Sequence, residues 1–485
     1  MMSGKTILVW FRNDLRINDN EVLTEAVNKA DTVLPVYCYD PFYYRTTSFG
    51  TQKTGNFRAR FINESVAGLR EALQQLGGNL IVRTGDPAII IPELAQQYQV
   101  SEVYHHREVA FEETNISSKV EAALWKLKLN LKHFIGHTLH NKEDLPFPVK
   151  DIPDAFTTFR KKVERDSQVR RCAIAPKKIT TPEITDAGEI PTLAELGLTE
   201  PFDDERAVMR FTGGEAEGLK RLHGFIWEKN LLKTYKASHN LVLGSDSSTK
   251  MSPWLSMGCV SPRQIFWEVQ QYEKAHGSND STHALILELL WRDYYRFMFK
   301  KYGNQFFQKA GFKGQAPLEA ANQDELLEKW KTGQTGVPFI DAIMREMNAT
   351  GYASNRGRQN AASFLVKDLQ VDWTRGAAYF EEKLIDYSPA STWGNWASIA
   401  GVGNDAKESR LLNVIKQAGE ADPKGQFVKL WVPELSAIPG KQIHTPFFLT
   451  QEELAVYGIQ LGKDYPAPII QPKWQKLSDK NASIF

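Results

Sequence analysis

The chain has 485 residues, 42% of them apolar and 24% charged, with a formal net charge of only +1. That length exceeds one ordinary hydrophobic core and predicts two or three domains of a soluble globular protein. The near-zero charge excludes a global basic field, so any nucleic-acid surface has to be local. The three cysteines (Cys38, Cys172, Cys259) lie far apart without metal-ligand spacing, as expected of reduced thiols in a cytoplasmic protein. No apolar run approaches the ~20 residues that span a bilayer, so no membrane association is expected. The first residues run directly into a strand and leave no room for a signal peptide.

Along the chain, Lys5–Phe11 (KTILVWF) is a continuous apolar run of buried-strand length, and Asp31–Asp40 repeats it. The segments NLIVRTG, VSEVYHH and LNLKHFIGH supply three more strands, with helices between them. In the helix over 57–76, Phe61, Ser65, Leu69 and Leu73 follow at four-residue spacing, and Gly77-Gly78 marks its stop. Strands alternating with helices predict a doubly wound parallel sheet over 1–137, which binds ligands at the carboxyl ends of its strands. No GxGxxG opens a helix, so the usual dinucleotide fingerprint is absent. Residues 138–205 lose periodicity and gather proline and charge, as a long surface connector would. From 206 to 445 the pattern is helical, strongest in His283–Tyr302, which is apolar on most faces and expected to be central. A tail from 446 to 485 holds a short acidic helix near Gln451.

Four constellations in the helical half could carry chemistry. Ser247–Ser252 (SSTKMS) clusters hydroxyls at an expected helix start, which suits either plain N-capping or an anion. Glu288 stands one turn from Trp291 and Arg292. It would either pair with Arg292 at i,i+4 or, with the indole, clasp a planar base. Asn355, Arg356 and Arg358 precede Asp386, and Arg358 with Asp386 would form a fork-to-carboxylate pair able to hold charge in a dry pocket. Trp330, Trp373, Trp393 and Trp396 are either core or a conduit for electrons. His105 and His106 end a strand and lack partners at ligand spacing, and no GxSxG or HExxH occurs.

Eight motifs, in order, carry a family resemblance: WFRNDLR, CYDP, KMSPWLSMGCVSPRQ, ELLWRDYYR, GQTGVPFIDAIMRE, SNRGRQNAASFLVKDL, WGNW and AGVGNDA. Spanning about residues 6–450, they resemble the photolyase and cryptochrome family, most closely the DASH-type cryptochromes. The resemblance implies an α/β antenna domain, a linker and an all-α domain that binds FAD. It places Tyr235, Ser248, Thr249, Lys250, Met251 and Ser252 against the FAD phosphates and ribityl chain. Asn355, Arg358 and Asp386 fall around the isoalloxazine, and Glu288 and Trp291 where relatives grip a flipped pyrimidine dimer. Arg356 and Arg410 fall at DNA phosphates. Trp396 and Trp373 take the inner and middle places of the photoreduction chain. Glu108 is a candidate contact for a second, folate chromophore, 5,10-methenyltetrahydrofolate.

Departures from the family pattern cluster at the flavin edge. Ser388 stands where relatives carry a second acid, Thr392 where they place asparagine near flavin N5, and Ser398 where a second aromatic stacks on the lesion. Losing one stacking partner costs on the order of 1–3 kcal/mol, up to roughly a hundredfold in affinity. The outermost tryptophan of the chain falls on Ala320, and Gly419 replaces a typical glutamine. The expectation is a monomeric, blue-light-responsive FAD flavoprotein with nucleic-acid affinity and altered photochemistry. One alternative is a photolyase acting on dimers in single-stranded or looped DNA, where flipping a base costs less. Another is a nucleic-acid-binding protein, with RNA as a further candidate ligand, that has lost useful photochemistry.

Overall fold

A computed structural model of the chain describes residues 4–404 and 412–470. Arg410, the expected DNA contact, lies outside the described residues. Five strands, β1 (Thr6–Phe11), β2 (Thr32–Tyr39), β3 (Ile81–Thr84), β4 (Glu102–His106) and β5 (Leu131–Phe134), form one sheet of order β3-β2-β1-β4-β5. All four pairings are parallel. β1 is buried at every position because it lies between β2 and β4 with both faces covered, which is why its sequence is continuously apolar.

Helices of nine residues or more are numbered here in chain order. The N-terminal sheet domain carries α1 (Glu21–Lys29), α2 (Asn56–Gln75), α3 (Pro87–Gln97) and α4 (Phe111–Lys126). The expected stripe on α2 is buried, and Gly77 ends it at φ +87°, a conformation that costs glycine little. The 138–205 stretch is mostly irregular, but it contains α5 (Phe156–Asp166), which the sequence reading did not anticipate. Only three of its side chains (Phe156, Phe159, Val163) are buried, too weak a stripe to stand out among its charges.

The helical domain comprises α6 (Glu215–His223), α7 (Pro262–His276), α8 (Asp280–Tyr302), α9 (Gln323–Thr332), α10 (Pro338–Thr350), α11 (Asn355–Ser363), α12 (Trp373–Lys383) and α13 (Pro389–Ala400). α8 is central, as its composition predicts. α11 runs on into one π turn, Phe364–Asp368, a local widening often found beside functional sites.

A buried polar clamp joins the two domains. Asp19, held at φ +53° in the loop after β1, accepts Arg263 Nη2 at 2.7 Å and Nε at 3.0 Å. Arg16 donates to the Gly258 carbonyl at 2.8 Å, and Glu215 accepts the backbone N–H groups of Ile17 and Asn18. Arg16, at the end of the WFRNDLR stretch, and the Ile17–Asp19 loop after it thus fasten the two domains, while Arg12 and Asn13 bond within the sheet domain. A second contact joins the start of α2 and the loop before it to the end of the helix that closes at Lys383. Lys53 pairs with Glu381 at 2.8 Å, and Arg58 donates to the carbonyls of Glu381 and Leu384.

Candidate FAD and nucleic-acid site

The loop 245–251 is shaped from outside by Arg221 on α6. Its guanidinium collects the carbonyls of Ser245 (2.7 Å), Thr249 (2.9 Å) and Ser248 (3.0 Å). Lys250 follows at φ +58°, a costly conformation for a side-chain-bearing residue that persists only where its surroundings impose it. The helix that starts at Ser252 has five residues and no side-chain cap bond at Met251, so the hydroxyls of Ser248, Thr249 and Ser252 are not spent on capping. Met251 and Tyr235 are buried, Ser248 is half-buried, and Ser252 faces solvent. Tyr235 stacks on His239 at 4.9 Å.

The Lys250 ammonium donates to Ser247 Oγ at 3.0 Å and lies over the Tyr352 ring, as does the Arg358 guanidinium. Burial lowers the Lys250 pKa to about 8. The Glu346 carboxyl behind it is pushed up to about 8 by the same desolvation. The fork-to-carboxylate pair is present: Arg358 Nη2 donates to Asp386 Oδ2 at 2.9 Å, and Arg358 Nε to the Ala353 carbonyl at 2.8 Å. Asp386 is 8% exposed, and its Oδ1 has no hydrogen-bond partner. An orphaned buried acceptor beside a fixed cation is costly unless a ligand donor completes it, which fits a flavin ring edge. Asn355 opens α11 and is exposed, while Ser388 and Thr392 are half-buried at the start of α13.

At the mouth, Glu288 is open to water but recessed, and desolvation raises its pKa against the opposing charges of His239 and Arg356. The expected Glu288–Arg292 pair is not formed. Arg292 turns away, to the carbonyls of His137 and Leu255. Trp291 is stacked at 3.6 Å and 14° by Phe156 of α5, a contact with no signal in the local sequence. Ser398 is half-buried with an unpartnered Oγ, and Arg356 donates to Asn240 and Gln359.

Trp330, Trp373, Trp393 and Trp396 are all buried but fall into two groups. Trp396 packs on Phe380 (5.0 Å) and Trp330 (6.2 Å), and Trp373 on Trp393 (5.7 Å). Among the described residues no ring contact joins Trp396 to Trp373. Trp396 instead lies against Gly376, almost one turn along α12.

The histidine reading needs correction. His106 and His137 converge on Glu108, with ligand-capable atoms within 4.8 Å of one another. The partner arrives from residue 137, too far along the chain for spacing to reveal. The arrangement is a hydrogen-bonded cluster. His106 Nε2 accepts the Gly136 N–H at 2.8 Å, which leaves its proton on Nδ1. Arg296 holds Glu108 Oε2 at 2.6 Å, and Asn13 donates to Oε1. Glu108 is 2% exposed and contributes only to the wall of an open interdomain cavity of about 740 Å³ that also involves Arg107, Phe111, Lys142 and Lys300.

A parallel-sheet domain fastened to a helical domain with this cradle defines a two-domain flavoprotein of the photolyase fold. Residues 7–182 match the DNA photolyase family model, and residues 285–482 match the FAD binding domain of DNA photolyase. Cryptochrome DASH of Gloeobacter violaceus is 49% identical over 97% of this chain and 94% of its own length. Cryptochrome DASH of Danio rerio is 43% identical over 100% and 94%. The crystal structure of the Synechocystis cryptochrome superposes with a TM-score of 0.94 at 43% identity, covering 100% of both chains. A class III photolyase from Agrobacterium tumefaciens gives 0.84 at 26% identity, covering 100% of this chain and 97% of its own. The chain belongs to the cryptochrome DASH group of the photolyase and cryptochrome family, and is a blue-light-responsive flavoprotein with FAD as its cofactor.

Proposed function

We propose that the chain works in the cytoplasm as a monomeric light-responsive flavoprotein that engages single-stranded nucleic acid with a weakened lesion clasp. The observation that carries this reading is the Phe156 ring on Trp291. A base can stack only on a free aromatic face, and one face of this indole is already covered. Across the clasp, residue 398 offers a hydroxyl in place of a ring. Glu288 remains to hydrogen-bond a base edge, and Arg356 to meet phosphate, with Arg410 as a further candidate.

Bound FAD supplies the light absorption and one-electron chemistry. Tyr235, Ser248, Thr249, Lys250, Met251 and Ser252 hold its phosphate and ribityl portion, with Lys250 as the buried cation. Asn355, Arg358 and Asp386 orient the ring system. Ser388 and Thr392 line the ring edge with neutral hydroxyls, so protons there are managed without a second carboxylate. Trp396 is the inner electron donor and Trp373 a second one.

For an antenna, size decides between two cavities. The crevice at the carboxyl ends of β1 and β2, lined by Trp10, Tyr37 and Tyr43, holds about 110 Å³, below the ~300 Å³ at which small-molecule sites begin. The interdomain cavity beside Glu108 is large enough for a folate, and Arg107, Lys142 and Lys300 suit its carboxylates.

The test is the absorbance spectrum of purified protein before and after blue light, with and without a dimer-containing single strand. Flavin photoreduction with slow repair is expected. A sample without flavin absorbance overturns every light-driven reading, and rapid repair overturns the weakened clasp. Ser398→Tyr should raise dimer affinity by about 10- to 100-fold, the range of one base–aromatic stack. Rapid repair by the unaltered chain would support the second reading, a photolyase for single-stranded or looped DNA, which the retained Glu288 favours.

A further inference from the structure

Photoreduction needs a final electron donor at the protein surface, because a positive hole left on a buried tryptophan returns to the flavin. Trp373 and Trp393 give no clear way out. They are 1% and 4% exposed, the Trp373 indole N–H is spent on the Lys309 carbonyl, and the position outside them is Ala320. Trp393 does reach Tyr387 by hydrogen bond, at 3.1 Å. Tyr387, however, uses its hydroxyl to accept that N–H, and among the described residues it has no side-chain acceptor for its own proton.

The ring contacts of Trp396 lead the other way. Trp330 meets Trp396 at 6.2 Å and stacks at 5.9 Å on Phe380, which itself meets Trp396 at 5.0 Å. Trp330 is fully buried and meets Tyr379 edge-on at 5.9 Å. The Tyr379 ring is 8% exposed, and its hydroxyl donates to Asn348 Oδ1 at 2.6 Å. Asn348 lines an open surface groove of about 470 Å³ between α10 and Trp431. Trp396, Trp330 and Tyr379 therefore run without interruption from the flavin edge to water.

We propose that Tyr379, reached from Trp396 through Trp330, is the terminal electron donor of this chain. The inference rests on the light-driven reading above and assigns the exit of its electron path. When Trp396 gives an electron to photoexcited oxidised flavin, its indole is left one electron short. Trp330 refills Trp396, and Tyr379 refills Trp330. Oxidised phenols are strongly acidic, so Tyr379 loses its hydroxyl proton past Asn348 to groove water and becomes a neutral radical. The Lys331 and Lys383 ammonium groups, 5.3 and 5.4 Å from the ring, favour that neutral form over a cation. An added thiol then returns one hydrogen atom to the phenol oxygen and ends as half of a disulfide. In sum, the flavin gains one electron, the solvent one proton, and the thiol is oxidised.

The experiment is time-resolved electron paramagnetic resonance of the FAD-loaded full chain under blue light with thiol, alongside the photoreduction rate. The unaltered protein should give a tyrosyl radical signal. Tyr379→Phe and Trp330→Phe should each abolish that signal and slow photoreduction roughly tenfold or more, while Trp373→Phe keeps the tyrosyl signal and Trp125→Phe, at an exposed indole of the N-terminal domain, leaves both signal and rate in place. Flavin content and thermal unfolding of each variant confirm that it remains folded and loaded. A tryptophanyl signal with no tyrosyl component, or a Tyr379→Phe variant that photoreduces at the original rate, overturns the assignment and leaves the light-driven reading intact. Failure of the loaded, unaltered protein to photoreduce at all overturns both.

Discussion

Asp386 and Arg358 show how one buried pair can be a fold element and a ligand site at once. Arg358 satisfies one carboxylate oxygen and leaves the other without a partner. Asp386→Asn would leave Arg358 facing a neutral amide in a partly dry pocket, and losing one partner of such a pair typically costs ~3–5 kcal/mol. The expected outcome is purified protein with far less bound FAD than the parent, read from the flavin-to-protein absorbance ratio. Undiminished loading would show that Asp386 does not hold the ring. Glu346 and Lys250 make a pH prediction. With its pKa raised from 4.5 to about 8, folded Glu346 keeps a proton that the unfolded chain has released, so stability falls as pH rises through that window. With its pKa lowered from 10.5 to about 8, Lys250 acts oppositely, and stability recovers between about 8 and 10.5. Glu113, also near 8, adds to the descending limb, and Lys300 to the recovery. Between about pH 6.5 and 10.5, above the range in which the buried histidines titrate, FAD-free protein should thus pass through a stability minimum near pH 8 in urea unfolding. Glu346→Gln should make the descent shallower and Lys250→Met the recovery, whereas a flat profile would contradict both.

At the level of elements, the flavin edge depends on how closely α12 and α13 approach. Gly376 permits it, because a Cβ there would lie 2.4 Å from Trp396 Cη2 and 2.5 Å from Leu365 Cδ2. Gly376→Ala should destabilise the chain by about 1–3 kcal/mol through overpacking and alter Trp396 fluorescence. A fully stable variant with unchanged emission would mean that the helices yield freely. The same scale explains what the sequence could convey. Strands and the central helix were legible because β1 and α8 bury most of their surface and their composition records it. The Arg358–Asp386 pair was legible because its chemistry is specific and its motif dense. Phe156 on Trp291, His137 beside His106, and the split of the tryptophans into two groups were not. Each depends on which distant segments meet, and no local periodicity encodes that.

In the whole molecule, buried ionic groups join the two domains alongside an apolar core that runs continuously from the sheet into the helices. Asp19 is fully enclosed and receives two bonds from Arg263 alone. Arg263→Ala would leave that carboxylate without its counter-charge, held only by the Ala173 N–H and the Ser261 hydroxyl, and is expected to lower the unfolding free energy by about 3–5 kcal/mol, measured by chemical denaturation. A change under about 1 kcal/mol would show that water replaces the guanidinium at no cost. No helix among the described residues is long and apolar enough to cross a membrane.

The ring that covers Trp291 belongs to α5, within the mostly irregular 138–205 stretch, and not to the helices around Arg358 and Asp386. A base that took the place of Phe156 would therefore push on α5 and on the irregular chain at either end of it. Occupancy of the mouth would then be readable at a distance. Limited protease digestion should cut within residues 138–205 faster when a single-stranded oligonucleotide is bound than when it is absent. That coupling would turn a passive tether into a mechanical reporter of what sits at the flavin.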